Sequence, residues 1–190
     1  DYLSRFEKDS VVVIPGLVNL DRIESFFAAY VKFILRVAKE IGITLADDCA
    51  HYLRHQLISE IYSKSPDAGA FVYDTFNRHV SFYSFFEDEK LLNAAALLTN
   101  AASVTDLAVT EHQFFICPPK VERNLLGWHQ DSGYFSEYSA KTASLTCWFG
   151  LEECGAKDGA LWVIPGSHKR GKIDHEVNEF GTHKSAELGK

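Results

Sequence analysis

The segment from Gly127 to Phe135, with the sequence GWHQDSGYF, holds the side chains best suited to bind a metal ion. His129 and Asp131 are two residues apart, and side chains at positions i and i+2 of an extended backbone point to the same side. One imidazole nitrogen and one carboxylate oxygen would therefore reach the same point. This pair supplies two of the three ligands of a 2-His-1-carboxylate site, which holds iron(II) and leaves coordination positions open for small molecules.

The pattern His-x-Asp also recurs by chance in unrelated proteins. The residues around this pair therefore decide whether it is interpreted as a metal site or as an isolated surface pair. An apolar run and a loop precede the pair, and three aromatic residues, Trp128, Tyr134 and Phe135, flank it. Aromatic walls of this kind exclude water from a reactive centre. The setting therefore favours a metal site over an isolated surface pair.

The first half of the chain, to about residue 103, predicts helices. Val11–Ile14 predicts a short strand, and Asn19 predicts the N-cap of a helix that Gly42 ends. Apolar residues recur along this helix every three or four positions and predict one buried stripe. The stripe comprises Ile23, Phe26, Phe27, Tyr30, Phe33, Ile34 and Val37. Further helices are predicted from about 44 to 63, from Ser65-Pro66-Asp67 onward, and over 87–99.

From about residue 104 onward the pattern changes to strands. Strands are predicted over 108–117, 142–151 and 160–164, with turns rich in Gly, Pro and Ser between them. Helices first and strands later predict an α+β domain in which helices support a β-structure. Since no repeat or linker divides the chain, a single domain is predicted over residues 1–190.

A second segment, Asp158–Gly171, has the sequence DGALWVIPGSHKRG and predicts a turn, a strand and another turn. Taken alone it carries no reactive group of side chains and is a scaffold loop. Together with WHQDSGYF at 128–135, and in the same order, it resembles the most recognisable motifs of the phytanoyl-CoA dioxygenase family. Val11–Gly16, followed by the helix at Asn19, is similar to the opening of that family.

This resemblance implies both a fold and a set of site residues. The fold would be a mainly β double-stranded β-helix, a cupin-like jelly roll over about 104–190, supported by the N-terminal helices. His129 and Asp131 would bind iron(II), and Gln113, Gln130 and Trp148 would contact 2-oxoglutarate. Strict alternation along a strand would turn Gln130 away from the metal, unless the strand bends there.

Members of the family also supply a second histidine ligand, and a cation for 2-oxoglutarate, from strands that follow the PGSHK loop. No such sequence appears before Lys190, so the third ligand and the C-terminal strands are expected beyond it. His168 belongs to the loop motif itself, while His175 and His183 lie in a polar tail interrupted by glycine. These three histidines are therefore poor candidates for the third ligand.

The activity implied by the resemblance is hydroxylation. Iron(II) would be the cofactor and 2-oxoglutarate and O₂ the co-substrates, with succinate and CO₂ released as an unactivated C–H bond of a small-molecule or acyl-CoA-like substrate is hydroxylated. Two other interpretations stay open. One is a non-catalytic jelly roll that binds a ligand, and the other is a zinc-dependent hydrolase or lyase that uses His129 and Asp131. The zinc enzyme is disfavoured because no third His, Asp or Glu nearby is placed to complete its site.

Composition and charge limit the classes of partner that the protein is expected to bind. The 190 residues are 46% hydrophobic, enough for a globular core, and the net charge of −7 disfavours nucleic acid or an anionic membrane as partner. No apolar stretch is long enough to span a bilayer. Cys49, Cys117, Cys147 and Cys154 include no C-x-x-C pair and indicate reduced thiols, so a cytoplasmic location is predicted. The chain begins at Asp1 without a methionine, which leaves a preceding targeting segment open.

Overall fold

The computed structural model describes residues 1–116, 118, 127–134, 143–156, 159–177 and 183–184. Most regular structure in these residues is helical, with α1 Tyr2–Asp9, α2 Leu20–Glu40, α3 Leu57–Lys64, α4 Pro66–Phe76 and α5 Glu89–Thr99. A turn of π-helix, Tyr52–Gln56, leads into α3, and 3-10 segments cover Val80–Glu87, Val104–Asp106, Asp131–Gly133 and Ser167–Arg170. Within the described residues, strand β1 (Glu176–Val177) pairs antiparallel with β2 (His183–Lys184).

The chain packs as two compact units, each built from separate stretches of sequence. Unit 1 comprises Asp1–Leu17, Leu92–Leu107 and Leu125–Lys190, and unit 2 comprises Val18–Leu91 and Ala108–Asn124. The motif at 127–134 therefore belongs to unit 1, and most of the predicted helical core belongs to unit 2. The single domain predicted over residues 1–190 stays a prediction.

Helix α2 forms where its sequence predicts it. Asn19 is the N-cap, and its side-chain oxygen accepts a hydrogen bond of 2.8 Å from the backbone N–H of Asp21. The helix ends at Glu40, and Gly42 follows at a φ of +71°, a conformation that glycine adopts without steric cost. Six of the seven predicted stripe residues are buried, and the seventh, Phe33, is half-buried. The predicted helix and its buried face are confirmed.

Two other helix predictions also match the structure. Ser65 caps α4, with its hydroxyl accepting a 3.2 Å hydrogen bond from the backbone N–H of Ala68, and Pro66 is the first helical residue. Helix α5 occupies 89–99, close to the predicted range of 87–99. The helix predicted over 44–63 begins later than expected, near residue 50, and contains the π-turn before α3.

Phe26 is the central side chain of the unit 2 core. It is 1% exposed, and its ring meets five other phenylalanine rings edge-on or tilted. Four of them are Phe76, Phe82, Phe85 and Phe114, at centroid distances of 5.0 to 5.8 Å, and the fifth is Phe27, at 6.5 Å. Such geometry is favourable because the positive edge of one ring faces the negative face of the next. This cluster packs α2, α4, the segment 80–87 and the segment 108–116 into one core.

Tyr30 offers a test of this core through its ionisation. It is 1% exposed, and among the described residues its hydroxyl has no hydrogen-bond partner. Burial, with a smaller contribution from Tyr62, raises the pKa of the Tyr30 phenol well above its usual value. The unfolded chain therefore loses this proton at a lower pH than the folded protein does, so stability is unaffected below about pH 10 and falls as the pH rises above it.

Tyr30→Phe is expected to leave the melting temperature at pH 7 unchanged or slightly higher, because the buried hydroxyl it removes is unsatisfied. The same substitution should lessen the loss of stability above about pH 10. Thermal unfolding at a series of pH values measures both effects. The control is Tyr2→Phe, since Tyr2 is 44% exposed. An alkaline decline as steep as that of the unsubstituted protein would contradict the assignment.

The predicted jelly roll is wrong for the part of the chain that the structure describes. The described residues of the predicted strands at 11–14, 108–117, 142–151 and 160–164 carry no regular secondary structure. Within 160–164, Leu161 is 54% exposed and Trp162 is 65% exposed. Alternating apolar residues favour an extended backbone, but a strand also needs a neighbour to complete its ladder of hydrogen bonds and a layer to cover its apolar face. Among the described residues no neighbouring strand pairs with any of these segments, and the apolar side chains of Leu161 and Trp162 are left exposed.

Two findings bear on the predictions from composition. No helix in the described ranges is long and apolar enough to cross a membrane. Cys49, Cys147 and Cys154 carry free thiols, and Cys117 lies outside the described residues. The prediction of a cytoplasmic location rests on the sequence alone.

Candidate metal centre

The backbone bends between the two residues of the His-x-Asp pair. Gln130 is extended, with φ −109° and ψ 135°, and Asp131–Gly133 forms a 3-10 turn directly after it. The turn is closed by a 2.8 Å hydrogen bond from the N–H of Gly133 to the carbonyl of Gln130 and a 2.9 Å hydrogen bond from the N–H of Tyr134 to the carbonyl of Asp131. Gln130 is thus the extended residue just before the turn, and Asp131 is the first residue of the turn.

The structure brings the side chains of His129 and Asp131 together. The distance from Nε2 of His129 to Oδ1 of Asp131 is 3.4 Å. The His129 side chain is 18% exposed and the Asp131 side chain 45% exposed. The pair is therefore partly shielded and still open to a small ligand or a metal ion.

The backbone carbonyl of Gly127 sets the tautomer of His129. Nδ1 of His129 lies 2.7 Å from that oxygen and donates its proton to it, which leaves the lone pair of a neutral imidazole on Nε2. This lone pair faces the carboxylate of Asp131, so two hydrogen-bond acceptors oppose each other unless a cation lies between them. A proton or a metal ion at that position converts the repulsion into an attraction.

The pKa values of the pair reflect this arrangement. The hydrogen bond to Asp131 raises the pKa of His129, and the Gly127 carbonyl contributes in the same direction, while burial opposes both. The hydrogen bond to His129 lowers the pKa of Asp131, with a smaller lowering from Thr146, and burial again opposes the shift. Both shifts favour a cation beside a carboxylate at neutral pH.

Two further residues orient the pair. The hydroxyl of Thr146 donates a hydrogen bond to Oδ2 of Asp131, which leaves Oδ1 directed at His129. The ring of Tyr134 meets the ring of His129 edge-to-face, with centroids 5.7 Å apart and an interplanar angle of 89°. Groups that orient metal ligands through such contacts contribute to metal affinity. The sequence provided no signal for Thr146, because its partner is fifteen residues away on a separate segment.

The geometry of the pair fits two neighbouring positions on a metal ion. Bonds of about 2.1 Å that meet at about 90 to 109° would place the nitrogen and the oxygen about 3.0 to 3.4 Å apart. The observed separation of 3.4 Å lies at the upper end of that range. Among the described residues, no three His, Cys, Asp or Glu side chains are grouped to hold a metal ion. The described part of the chain therefore supplies two suitable donors and not a complete set.

The structure gives each of the other predicted site residues a setting of its own. Gln130 directs its side chain to a neighbouring segment, where Oε1 accepts from the N–H of Ile173 at 2.8 Å and Nε2 donates to the carbonyl of Gly171 at 2.9 Å. Trp148 is 45% exposed. Gln113 belongs to unit 2, where its amide nitrogen donates a hydrogen bond to the hydroxyl of Tyr73. A contact of these three residues with 2-oxoglutarate stays a prediction.

The three histidines near the end of the chain differ in setting. His175 uses both ring nitrogens, since Nε2 accepts from the N–H of Gln130 at 2.8 Å and Nδ1 donates to the carbonyl of Ile173 at 2.7 Å. His168 is exposed in the segment Ser167–Arg170, and for His183 the structure describes only the backbone, in β2. The ring nitrogens of His175 are thus engaged in hydrogen bonds within the protein.

Comparison with known proteins shows the family to which this sequence is similar. A sequence model described as phytanoyl-CoA dioxygenase (PhyH) matches residues 6–187. The peroxisomal phytanoyl-CoA dioxygenases of Mus musculus, Homo sapiens and Bos taurus are 22%, 20% and 19% identical to this chain. Each match covers 92% of this chain and 49% of the relative, so the chain spans about half the length of these relatives. No solved structure matches.

The match covers both motifs that carry the resemblance, the segment around His129 and Asp131 and the loop at 158–171. It also covers all five α-helices except the first residues of α1. This chain therefore belongs to the phytanoyl-CoA dioxygenase family.

Proposed function

We propose that this chain is the metal-binding part of an iron(II)- and 2-oxoglutarate-dependent dioxygenase. The observation that supports the proposal is Nε2 of His129 facing Oδ1 of Asp131 at 3.4 Å, in a chain of this family. A neutral imidazole and a carboxylate are two of the three ligands that non-haem iron(II) oxygenases use. The third ligand, a histidine, is expected beyond Lys190, so the experiments use the full-length gene product.

The residues of the centre have distinct roles in this proposal. His129 and Asp131 would hold the metal, and the Asp131 carboxylate would offset part of its charge. The Gly127 carbonyl keeps Nε2 of His129 unprotonated, and Thr146 directs the Asp131 carboxylate. When bound, iron(II) together with 2-oxoglutarate and O₂ would supply an oxidant that hydroxylates a C–H bond, with release of succinate and CO₂.

For the substrate, only a chemical class is proposed. A small molecule or an acyl-CoA-like compound fits the family, and the names of the mammalian relatives refer to phytanoyl-CoA. An aspartate at position 131 favours hydroxylation, because it would fill the coordination position that related halogenases leave free for halide. Gln113 and Trp148 remain proposed contacts of 2-oxoglutarate, and the cytoplasmic location remains a prediction.

Metal content and oxygen dependence test the proposal directly. The full-length protein, loaded with iron(II) under argon, is expected to retain stoichiometric iron and to release succinate from 2-oxoglutarate only after O₂ is admitted. Mass spectrometry of the metal measures the retained iron, and an assay of succinate measures the turnover of 2-oxoglutarate. Activity with zinc that persists without O₂ would instead support the hydrolase interpretation. Failure to retain iron and to consume 2-oxoglutarate would favour a non-catalytic binding protein.

A further inference from the structure

We infer that Gln130 is a positioning residue, which holds the metal-binding turn against the segment 171–175. The four residues Gln130, Gly171, Ile173 and His175 are here called the Gln130 clamp. The role in metal binding rests on the proposed function, whereas the clamp itself is a property of the metal-free protein.

The side chain of Gln130 pairs with the backbone of the neighbouring segment as another strand would. Its Oε1 accepts a 2.8 Å hydrogen bond from the N–H of Ile173, and its Nε2 donates a 2.9 Å hydrogen bond to the carbonyl of Gly171. A carboxamide is the side-chain group that offers one acceptor and one donor side by side. A carboxylate at this position would face the Gly171 carbonyl with like partial charges.

The backbone of Gln130 is held by the same segment. Its N–H donates a 2.8 Å hydrogen bond to Nε2 of His175, and Nδ1 of His175 donates a 2.7 Å hydrogen bond to the carbonyl of Ile173. This arrangement requires a neutral imidazole that carries its proton on Nδ1. Ile173 is 8% exposed, and both its N–H and its carbonyl are used within the clamp.

Gly133 allows the ring of His175 to lie against the turn. A Cβ atom added at Gly133 would lie 3.1 to 3.2 Å from three atoms of that ring, closer than side chains normally approach. The turn is therefore attached to the segment 171–175 both by hydrogen bonds at Gln130 and by close packing at Gly133. A side chain at position 133 would push His175 away from the N–H of Gln130.

The position of Gln130 in the chain explains why this attachment matters. Gln130 lies between His129 and Asp131 and is itself extended, so its side chain projects to the side opposite its neighbours. Holding Gln130 on one side fixes the backbone from which the two ligands project on the other. Residues that orient metal ligands change metal affinity by about 10- to 100-fold when they are removed.

The test replaces Gln130 with methionine, which has a similar length but lacks the amide donor and acceptor. In the full-length protein, Gln130→Met is expected to weaken iron(II) binding by about 10- to 100-fold, as other orienting residues do. At saturating iron, the KM for 2-oxoglutarate is expected to stay within about twofold. Gln56→Met is the matched control, because Gln56 is exposed in unit 2. Unchanged iron affinity would overturn the inference, whether the KM for 2-oxoglutarate rises or not.

A second variant, at Gly133, tests the contribution of the His175 ring to the Gln130 clamp. Gly133→Ala is expected to weaken iron binding through displacement of His175, and its effect should not add fully to that of Gln130→Met, because both act on one network. Iron affinities of the two single variants and the double variant measure the coupling. Full additivity would mean that the two positions act separately and would overturn the inference.

A measurement on the metal-free protein separates the clamp from the proposed function. Nitrogen-15 NMR is expected to show His175 neutral with the proton on Nδ1, and hydrogen exchange at the amides of Gln130 and Ile173 is expected to be slow. Both signatures should be lost in Gln130→Met if that variant folds, and the unsubstituted protein suffices if it does not. A proton on Nε2 of His175 would overturn the clamp, even in a protein that binds iron. If the clamp signatures are present but no iron is retained, the proposed function fails and the positioning role is overturned with it.

Discussion

Asp131→Ala is expected to abolish the release of succinate from 2-oxoglutarate, through loss of iron affinity. The substitution removes one of the two donors that the described chain supplies and the only negative charge of the pair. Because removal of a residue that merely orients a ligand costs about 10- to 100-fold, loss of the ligand itself should exceed about 100-fold in iron affinity. Iron retention and succinate release, measured together on the full-length protein, check this result.

The pKa of His129 provides an independent check that Asp131→Ala acts by removing the contact between the two side chains. The hydrogen bond to Asp131 is the largest cause of the raised pKa of His129, so in metal-free Asp131→Ala the pKa of His129 should move back toward its ordinary value. A proton NMR titration of the histidines measures this shift. The fold should survive, because the Asp131 side chain is 45% exposed in a surface turn.

Glu153→Ala is the matched control for this experiment, since Glu153 is an exposed carboxylate in the same unit. It is expected to leave iron affinity and succinate release unchanged. Near-normal turnover in Asp131→Ala would show that Asp131 is not a ligand. Loss of activity in both variants would point to a general effect of charge near the site and would contradict the specific role of Asp131.

Phe26→Ala is expected to have the largest effect on stability, a loss of about 3 to 5 kcal/mol. Phe26 is 1% exposed and meets five other aromatic rings, which hold one another in place and cannot all move into the space left by its ring. A cost of this size is a large fraction of the roughly 5 to 15 kcal/mol by which most domains are stable. Urea unfolding followed by circular dichroism measures the change.

Phe71→Ala is the matched control for the core prediction. Phe71 lies on α4, is 52% exposed and packs only against Phe33 among the aromatic rings of the described residues. Its removal is expected to cost less than about 1 kcal/mol, as at other partly exposed positions. Equal losses in Phe26→Ala and Phe71→Ala would contradict a core centred on Phe26.

The helical part of the fold was predictable because its signals are local. The buried stripe of α2 repeats every three or four residues, and the cap at Asn19 acts on a residue two positions away. Ser65 and Pro66 start α4 through contacts of the same short range. A helix satisfies its own backbone hydrogen bonds, so its sequence alone is enough to predict it.

The strand predictions were wrong for the opposite reason, because a strand depends on residues far away in the chain. The apolar residues of 160–164 and 142–151 are those of strands, but a strand requires a partner that its own sequence does not specify. In the structure the described residues of these segments lie without such partners, and Trp162 is 65% exposed. A preference for extended backbone is therefore not by itself evidence of a sheet.

The sequence by itself determined helices α2 and α4 with their caps, helix α5, the family and the identity of the two candidate ligands, since each depends on residues close together in the chain. Only the tertiary structure decided which groups surround those ligands. Thr146 reaches Asp131 across fifteen residues, and His175 reaches Gln130 across forty-five. Hydrogen bonds over such separations form only after the chain has closed the intervening loops, so no local spacing in the sequence encodes them.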